Sequence, residues 1–211
     1  MFKIIDSKIT IRDRLPMNII PLRQDINFVD EGSQRFIVGV GDFVSSNLVI
    51  RNSVFAASTN KSLSLCNLNQ KAKGMVIEMP GYCYTEQSAI TIDPTVPGSL
   101  SYIDGCSNSN LISPPRNGEP CLNYLYFPEN INQTFHTHPS IRVGCILTGK
   151  GIAETSTGEF ELNIGDVFVL DRFTRHRFKT FNNTMSLIAF HPDSEDGPTD
   201  EFNPMKSRTH L

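Results

Sequence analysis

Three histidines, His136, His138 and His176, are the residues of this chain whose type and spacing best support chemistry. Alternate residues of a β-strand point to the same side, so His136 and His138 can direct two imidazoles to one point. A third imidazole from His176 would complete a metal-binding face. Three neutral imidazoles suit a borderline divalent ion and leave coordination positions open for water, oxygen or a substrate. The set therefore favours a catalytic metal site over a structural one.

The spacing around these histidines resembles that of the cupin superfamily. The histidine pair and Gly149 stand at the spacing of its first motif, while Gly165 and His176 match the second, with Asp171 at the usual proline position. The resemblance covers roughly residues 75 to 192. It implies an all-β fold in which a cupin-type jelly-roll β-barrel carries the metal.

Arg142 stands where the family most often has a metal-binding glutamate, and an arginine cannot ligate a cation. The resemblance then implies a three-histidine site similar to those of thiol, gentisate-type and diketone-cleaving dioxygenases. Fe(II) is the favoured ion, with Zn(II), Ni(II), Mn(II) or Cu(II) as alternatives. Two interpretations of Arg142 stay open. Facing the metal, it would clamp a substrate carboxylate or phosphate; facing outward, it would pair with Glu161 or Asp171.

Other side chains near the histidines are candidates for catalysis or binding. Tyr124 and Tyr126 share one face of a predicted strand that leads toward the pair, and Gln133 lies three residues before His136. We predict Arg142, Tyr124, Tyr126 and Asp171 as catalytic residues, and Arg142 and Gln133 as substrate-binding residues. An acid or base among these inside the pocket would favour an enzyme, whereas an apolar lining would favour binding alone.

The stretch from Ile141 to Leu147 alternates in a way that bears on association. One face carries Ile141, Val143, Cys145 and Leu147, and the other carries Arg142, Gly144 and Ile146. If Arg142 faces the barrel interior, the aliphatic face points outward and needs a cover, either from the N-terminal part of the chain or from a second subunit. Pro139 leaves the reverse parity open. Because dimers are frequent among cupins, we expect a homodimer.

The chain divides into three predicted parts. Residues 1–70 form an N-terminal β-rich extension, residues 71–192 form the barrel, and residues 193–211 form a polar C-terminal tail. The extension either adds strands to the sheet or covers a partner subunit. If it is a partial second barrel, it has no second His-x-His pair. His191 and His210, in or beside the tail, are expected on the solvated surface.

Composition narrows the classes of partner. The chain has 211 residues and a net charge of -3, which gives no basic surface for nucleic acid. It has no apolar run of 18 residues, no signal-like N-terminus, and five cysteines without a Cys-x-x-Cys pair. We therefore expect a cytoplasmic protein with a small-molecule ligand and no membrane partner.

Two classes of function follow from the sequence. One is a mononuclear non-haem Fe(II) dioxygenase-like enzyme that acts on a small anionic molecule. The other is a non-catalytic metal-binding or ligand-binding cupin that acts as a sensor or store. Cupins also include lyases and isomerases, and a fold does not choose its chemistry.

Overall fold

The computed structural model describes residues 1–12, 15–23, 25–28, 32–45, 48–67, 73–82, 86–91, 93–114, 116 and 118–193. These residues form antiparallel β-sheets, with one 3₁₀ turn at Ile103–Gly105 and no α-helix among them. In the part of the chain so described, no helix has the length and hydropathy needed to span a membrane.

The first sheet has eight strands, all from the N-terminal part of the chain. They are β2 (Ile9–Ile11), β3 (Met17–Pro21), β4 (Ile26–Phe28), β5 (Ser33–Ser45), β6 (Leu48–Thr59), β7 (Leu63–Asn67), β8 (Lys73–Pro80) and β9 (Gln87–Thr91). The main order across the sheet is β2-β3-β8-β5-β6-β9, and β7 pairs with both β4 and β5.

The second sheet has nine strands, and the three histidines lie in one of its strands or between two of them. They are β1 (Phe2–Ile5), β10 (Leu100–Ser101), β11 (Ser107–Ile112), β12 (Cys121–Phe127), β13 (Arg142–Thr155), β14 (Gly158–Asn163), β15 (Val167–Leu170), β16 (His176–Lys179) and β17 (Met185–His191). The main order is β1-β15-β13-β17-β12-β11-β10, and β14 and β16 pair with β13.

The long strand β13 folds the second sheet into a barrel. Residues 142–145 pair with β15, whereas residues 152–155 pair with β16 on one side and β14 on the other. One strand therefore contributes to two walls, as at the corner of a closed sheet. The space between the walls is filled by apolar side chains, among them Leu125, Phe127, Phe168 and Leu187.

The outer face of the barrel packs against the N-terminal sheet. Every residue of β17 is buried, because alternate side chains enter the barrel and the layer between the sheets. In that layer the rings of Phe36 and Phe190 lie 5.0 Å apart. The aliphatic face predicted from Ile141 to Leu147 lies in the same layer and is buried against N-terminal strands. Its cover therefore comes from the chain itself, so this face gives no argument for the predicted homodimer.

The division predicted at residue 70 does not coincide with a break in either sheet. Strands β8 and β9 lie beyond it and belong to the N-terminal sheet, whereas β1 lies before it and pairs with β15 of the barrel. The tail beyond Asp193, including His210, lies outside the described residues.

Candidate metal centre

His136, His138 and His176 converge as the sequence predicts. Each offers a ring nitrogen, and these three atoms all lie within 4.8 Å of one another. The ring centroids are separated by 4.4 Å for His136 and His176, and by 5.1 Å for each pair that includes His138. Among the described residues this is the one group of three or more such side chains that could hold a metal ion.

Backbone pairing fixes two of the three rings. His136 and His176 exchange both of their backbone hydrogen bonds, each 3.0 Å long, in an isolated bridge across the barrel. The Nδ1 atom of each ring lies 2.9 Å from the carbonyl oxygen two residues earlier, that of Thr134 or Thr174. A carbonyl can only accept, so Nδ1 carries the proton and Nε2 keeps its lone pair for a cation.

His138 is fixed through its backbone. Its carbonyl oxygen accepts a hydrogen bond of 2.7 Å from the N–H of Phe173, in the loop that leads to His176. Residues 137 and 138 are not part of a strand, since β13 begins only at Arg142. The two imidazoles therefore converge although His136 and His138 do not share a strand: His136 pairs with His176 in the bridge, and His138 follows in a loop.

The protein environment keeps the three imidazoles neutral. Burial lowers the pKa of His138 to about 4 and that of His176 to about 3, and it also lowers the pKa of His136. The positive charge of Arg142 lowers the pKa of His138 and His176 further. Neutral imidazole is the form that binds a metal, so a cation does not have to displace a proton from an imidazolium at neutral pH.

The histidines face a small cavity inside the barrel. Its volume is about 30 Å³, which is room for two or three water molecules at roughly 10–15 Å³ each. Most of the lining is apolar, with rings of Phe127, Phe168 and Phe178 and side chains of Leu125 and Leu187. The site therefore combines an apolar lining with a few polar groups, which is the composition of a small-molecule site.

Arg142 lines this cavity and is 3% exposed. Gly144 and Ile146 share its side of β13, so the inward parity required by the first interpretation of Arg142 is the one observed. Its Nη1 donates to the carbonyl oxygens of Ser140 and Ile141, at 3.2 and 2.9 Å, and to the Ser140 hydroxyl at 2.5 Å. Burial lowers the pKa of Arg142 to about 10, so the guanidinium stays charged at neutral pH.

Two cavity residues were not predicted for the site. Tyr102 lines the cavity from the segment before the 3₁₀ turn, and burial raises its pKa to about 12, so its hydroxyl keeps its proton. His191 is buried rather than solvated, and burial holds its pKa well below the usual value. The signal for His191 was its parity, because Leu187 and Ala189 precede it on the inward face of β17. No pattern in the sequence marks Tyr102.

Tyr124, Tyr126 and Asp171 lie away from the cavity, in contrast to their predicted roles. Tyr124 and Tyr126 are on the outer face of β12 and pack into the layer between the sheets. The Tyr124 hydroxyl lies 2.7 and 2.9 Å from the carbonyl oxygens of Pro94 and Val96. The Asp171 side chain is 52% exposed and pairs with the N-terminal ammonium at 3.2 Å. The second interpretation, in which an outward Arg142 pairs with Glu161 or Asp171, is therefore wrong, because Arg142 lines the cavity and Asp171 pairs with the N-terminus.

Gln133 links the elements that carry the ligands. Its Nε2 lies 3.4 Å from Cys106 Sγ, and its Oε1 accepts a hydrogen bond of 3.2 Å from the N–H of Phe178. Its own N–H donates to the Phe178 carbonyl oxygen at 3.1 Å. Gln133 is 1% exposed and ties the His136 segment to β16, two residues after His176. These contacts are those of a structural link, and its predicted substrate contact stays a prediction.

These residues fit a divalent metal ion. Three neutral nitrogen donors, two of them with the tautomer fixed by a carbonyl oxygen, lie on segments tied by backbone hydrogen bonds and form the donor set of a mononuclear site with open positions. The donors do not choose between Fe(II), Zn(II), Ni(II) and Mn(II), because imidazole binds all of them.

No protein-family model matches the chain, and no curated protein matches it. Solved structures do resemble it. A cupin 2 conserved barrel domain protein from Leptotrichia buccalis has a TM-score of 0.58 at 14% identity, over 90% of this chain and 89% of that one. Protein Ylba from E. coli has a TM-score of 0.55 at 13% identity, over 89% and 80% of the two chains.

A salicylate 1,2-dioxygenase from Pseudaminobacter salicylatoxidans has a TM-score of 0.55 at 10% identity, over 88% of this chain and 76% of that one. At such identities the likeness concerns the fold. It agrees with the motif spacing of His136, His138, Gly149, Gly165 and His176 and with the antiparallel barrel described above. The chain is therefore a cupin-fold protein whose jelly-roll barrel holds a cluster of three histidines.

Proposed function

We propose that the protein is a metal-dependent cupin enzyme of the mononuclear non-haem Fe(II) dioxygenase type, acting on a small anionic molecule. The observation that carries the proposal is the convergence of three neutral imidazoles on one cavity that also contains a buried arginine. Fe(II) held by His136, His138 and His176 would supply the chemistry of oxygen activation.

The residues of the chain perform the binding and the orientation. His136, His138 and His176 provide three nitrogen ligands and no negative charge, so a bound dication keeps its full positive charge in an apolar pocket. The guanidinium of Arg142 adds a further positive charge nearby. Two cations in a site of low dielectric are unfavourable together unless an anion lies between them. This balance selects an anionic substrate group, which Arg142 binds with parallel hydrogen bonds.

Tyr102 is the neutral hydrogen-bond donor of this proposal. Its hydroxyl stays protonated at neutral pH and lines the same cavity as the histidines. It can donate a hydrogen bond to a substrate oxygen and limit where that atom sits. The apolar rings around it exclude bulk water, which strengthens each of these polar contacts.

A second candidate function is non-catalytic binding of a metal or small ligand, as in a sensor or store. The observation in its favour is the cavity itself, which is about 30 Å³ and lacks the predicted carboxylate of Asp171. Only a small group fits beside the metal at that volume. A cupin lyase or isomerase would use the same ligands without oxygen.

The test begins with metal content. Protein purified without added metal is analysed for bound metal, alongside His136→Ala, His138→Ala and His176→Ala, with His210→Ala as a matched loss of a histidine that belongs to neither cupin motif. We expect each of the three to lose most bound metal and His210→Ala to keep it. Full occupancy in His176→Ala would overturn the three-histidine site.

Oxygen uptake then separates the functions. Fe(II)-loaded protein is mixed with small thiols, diketones and phenolic or aliphatic carboxylates, and oxygen consumption is followed together with product formation. Uptake that depends on both Fe(II) and one of these compounds supports the enzyme. Tight metal binding with no uptake supports the sensor or store, and turnover without oxygen supports a lyase or isomerase.

A further inference from the structure

A second and larger pocket lies behind the wall of the metal cavity. Its volume is about 170 Å³, compared with about 30 Å³ for the metal cavity. An engineered apolar cavity of about 150 Å³ binds benzene, so a ligand of similar size fits here. Leu15 and Met17 of the N-terminal part and Ile141 of the barrel contribute apolar walls. The pocket therefore sits at the seam between the two sheets.

The polar groups of this pocket carry opposite charges. Arg172, from the loop before His176, and Asp193, just after β17, both line it. The hydroxyl of Tyr82 adds a donor, since burial raises its pKa above the ordinary value. A ligand with a single negative charge would meet repulsion at Asp193, and a ligand with a single positive charge would meet repulsion at Arg172. A zwitterion with an apolar body matches the whole lining.

We propose that this pocket binds an apolar α-amino acid, with its carboxylate at Arg172, its ammonium group at Asp193 and its aliphatic side chain against Leu15, Met17 and Ile141. Binding at this site requires no metal, so the proposal stands apart from the function proposed for the metal centre.

The pocket also touches both segments that hold metal ligands. Ser140 lies in its wall, and the Ser140 hydroxyl contacts Asp193 as well as the guanidinium of Arg142. Arg172 precedes Phe173, whose N–H donates to the His138 carbonyl oxygen. An ammonium group that binds Asp193 competes with the Ser140 hydroxyl for that carboxylate. The bound amino acid therefore acts on the position of Arg142 in the metal cavity.

Calorimetry with L-leucine tests the binding, with 4-methylpentanoate and 3-methylbutylamine as probes that each carry one of its two charges. We expect leucine to bind and each probe to bind at least tenfold more weakly. Arg172→Gln and Asp193→Asn should each weaken leucine at least tenfold. Arg175→Gln is the matched control, because the guanidinium of Arg175 lies over the ring of Phe135, 4.3 Å away, and does not line the pocket.

Two further variants keep the result interpretable. Leu15→Trp fills the pocket and should abolish leucine binding, while the unfolding midpoint shows that the protein is folded. His176→Ala should bind leucine as the parent protein does, even when it has lost its metal. Absence of leucine binding, equal binding of leucine and the two probes, or equal losses in Arg172→Gln and Arg175→Gln would each overturn the proposal. None of these results depends on turnover at the metal centre.

Discussion

The orientation of two of the ligand rings depends on hydrogen bonds made by the ring nitrogen that does not bind the metal. His136 and His176 each place Nδ1 against the carbonyl oxygen two residues earlier, at the same distance of 2.9 Å. The backbone N–H of Thr134, whose carbonyl oxygen serves His136, in turn donates to the carboxylate of Asp104 in the 3₁₀ turn. A local carbonyl therefore sets each tautomer, and neighbouring segments hold that carbonyl in place.

Replacing Gln133 with leucine should weaken both the fold and the metal site. The change removes the acceptor of the buried Phe178 N–H, and an unsatisfied buried donor costs about 1–3 kcal/mol. Because the link between the His136 segment and β16 is lost, we also expect lower metal affinity. Denaturant unfolding and metal titration measure the two effects. Gln87→Leu, which removes a contact to the Ser113 carbonyl oxygen far from the histidines, should spare metal affinity. Equal metal affinity in both variants would contradict the role of Gln133.

Replacing Arg142 with glutamate should strengthen metal binding and weaken anion binding. A carboxylate at this inward position can serve as a fourth metal ligand, so metal affinity should rise. Anion affinity should fall by about 1.5–3 kcal/mol, because charged hydrogen bonds are lost. Calorimetry with Fe(II) and then with acetate on the loaded protein measures both. Arg142→Lys keeps the charge without the planar pair of donors. Its anion affinity should therefore lie between those of the parent protein and Arg142→Glu. If neither affinity changes in Arg142→Glu, the arginine has no part in binding.

At the scale of the strand, parity decides which side chains reach the metal. On β12, Leu125 and Phe127 face the cavity, while Tyr124 and Tyr126 face the N-terminal sheet. The same alternation on β17 brings His191 inward. Once the inward face of a strand is known, alternate residues of that strand are assigned to the site. An error of one residue in parity assigns the wrong half.

Tyr102, which lines the cavity, and Tyr124, which faces the N-terminal sheet, give a direct test of which side chains reach the site. Tyr102→Phe removes a hydroxyl from the metal cavity and should reduce acetate affinity or turnover of the metal-loaded protein with little change in stability. Tyr124→Phe removes hydrogen bonds to Pro94 and Val96 and should lower stability by about 0.5–1.5 kcal/mol while the site keeps its affinity. Calorimetry and denaturant unfolding on both variants are required. A loss of function in Tyr124→Phe equal to that in Tyr102→Phe would contradict the observed arrangement.

Motif spacing predicted the metal cluster and the barrel, because the two cupin motifs already relate His176 to the histidine pair that precedes it in the chain. His136 and His138 are two residues apart, and Gly149 and Gly165 mark turns between consecutive strands. The sides of the tyrosines and the place of Tyr102 depend on contacts between distant segments, which a local pattern does not contain. Tyr102 is 34 residues from His136 and reaches the cavity through a turn that is held by Asp104 and Cys106.

At the scale of the molecule, the barrel and the N-terminal sheet stabilise one another. The outer face of the barrel supplies Val143, Cys145 and Leu147 to the layer between the sheets, and the N-terminal sheet supplies residues such as Phe36 and Ile77. A sheet that is buried on both faces reads as a continuous apolar run, which is the pattern of β17. The N-terminal sheet therefore helps to position the metal centre, since it packs against the strands whose opposite faces line the cavity.

Replacing Leu147 with alanine tests whether the cover of this face lies within the chain. Leu147 is 1% exposed, and loss of a buried leucine costs about 2–5 kcal/mol. Leu100→Ala, at a leucine that is 57% exposed, should change stability by no more than about 0.5 kcal/mol. Denaturant unfolding measures both variants at two protein concentrations, and light scattering measures their mass.

We expect the loss in Leu147→Ala to be the same at both concentrations and the mass to equal that of the parent protein, whatever its oligomeric state. If Leu147 instead lay between subunits, its replacement would lower the mass, and the unfolding midpoint would move with protein concentration. That outcome would return the aliphatic face to a subunit interface. The expected outcome confines any homodimer to another surface, so that the N-terminal sheet alone closes the outer face of the metal-binding barrel.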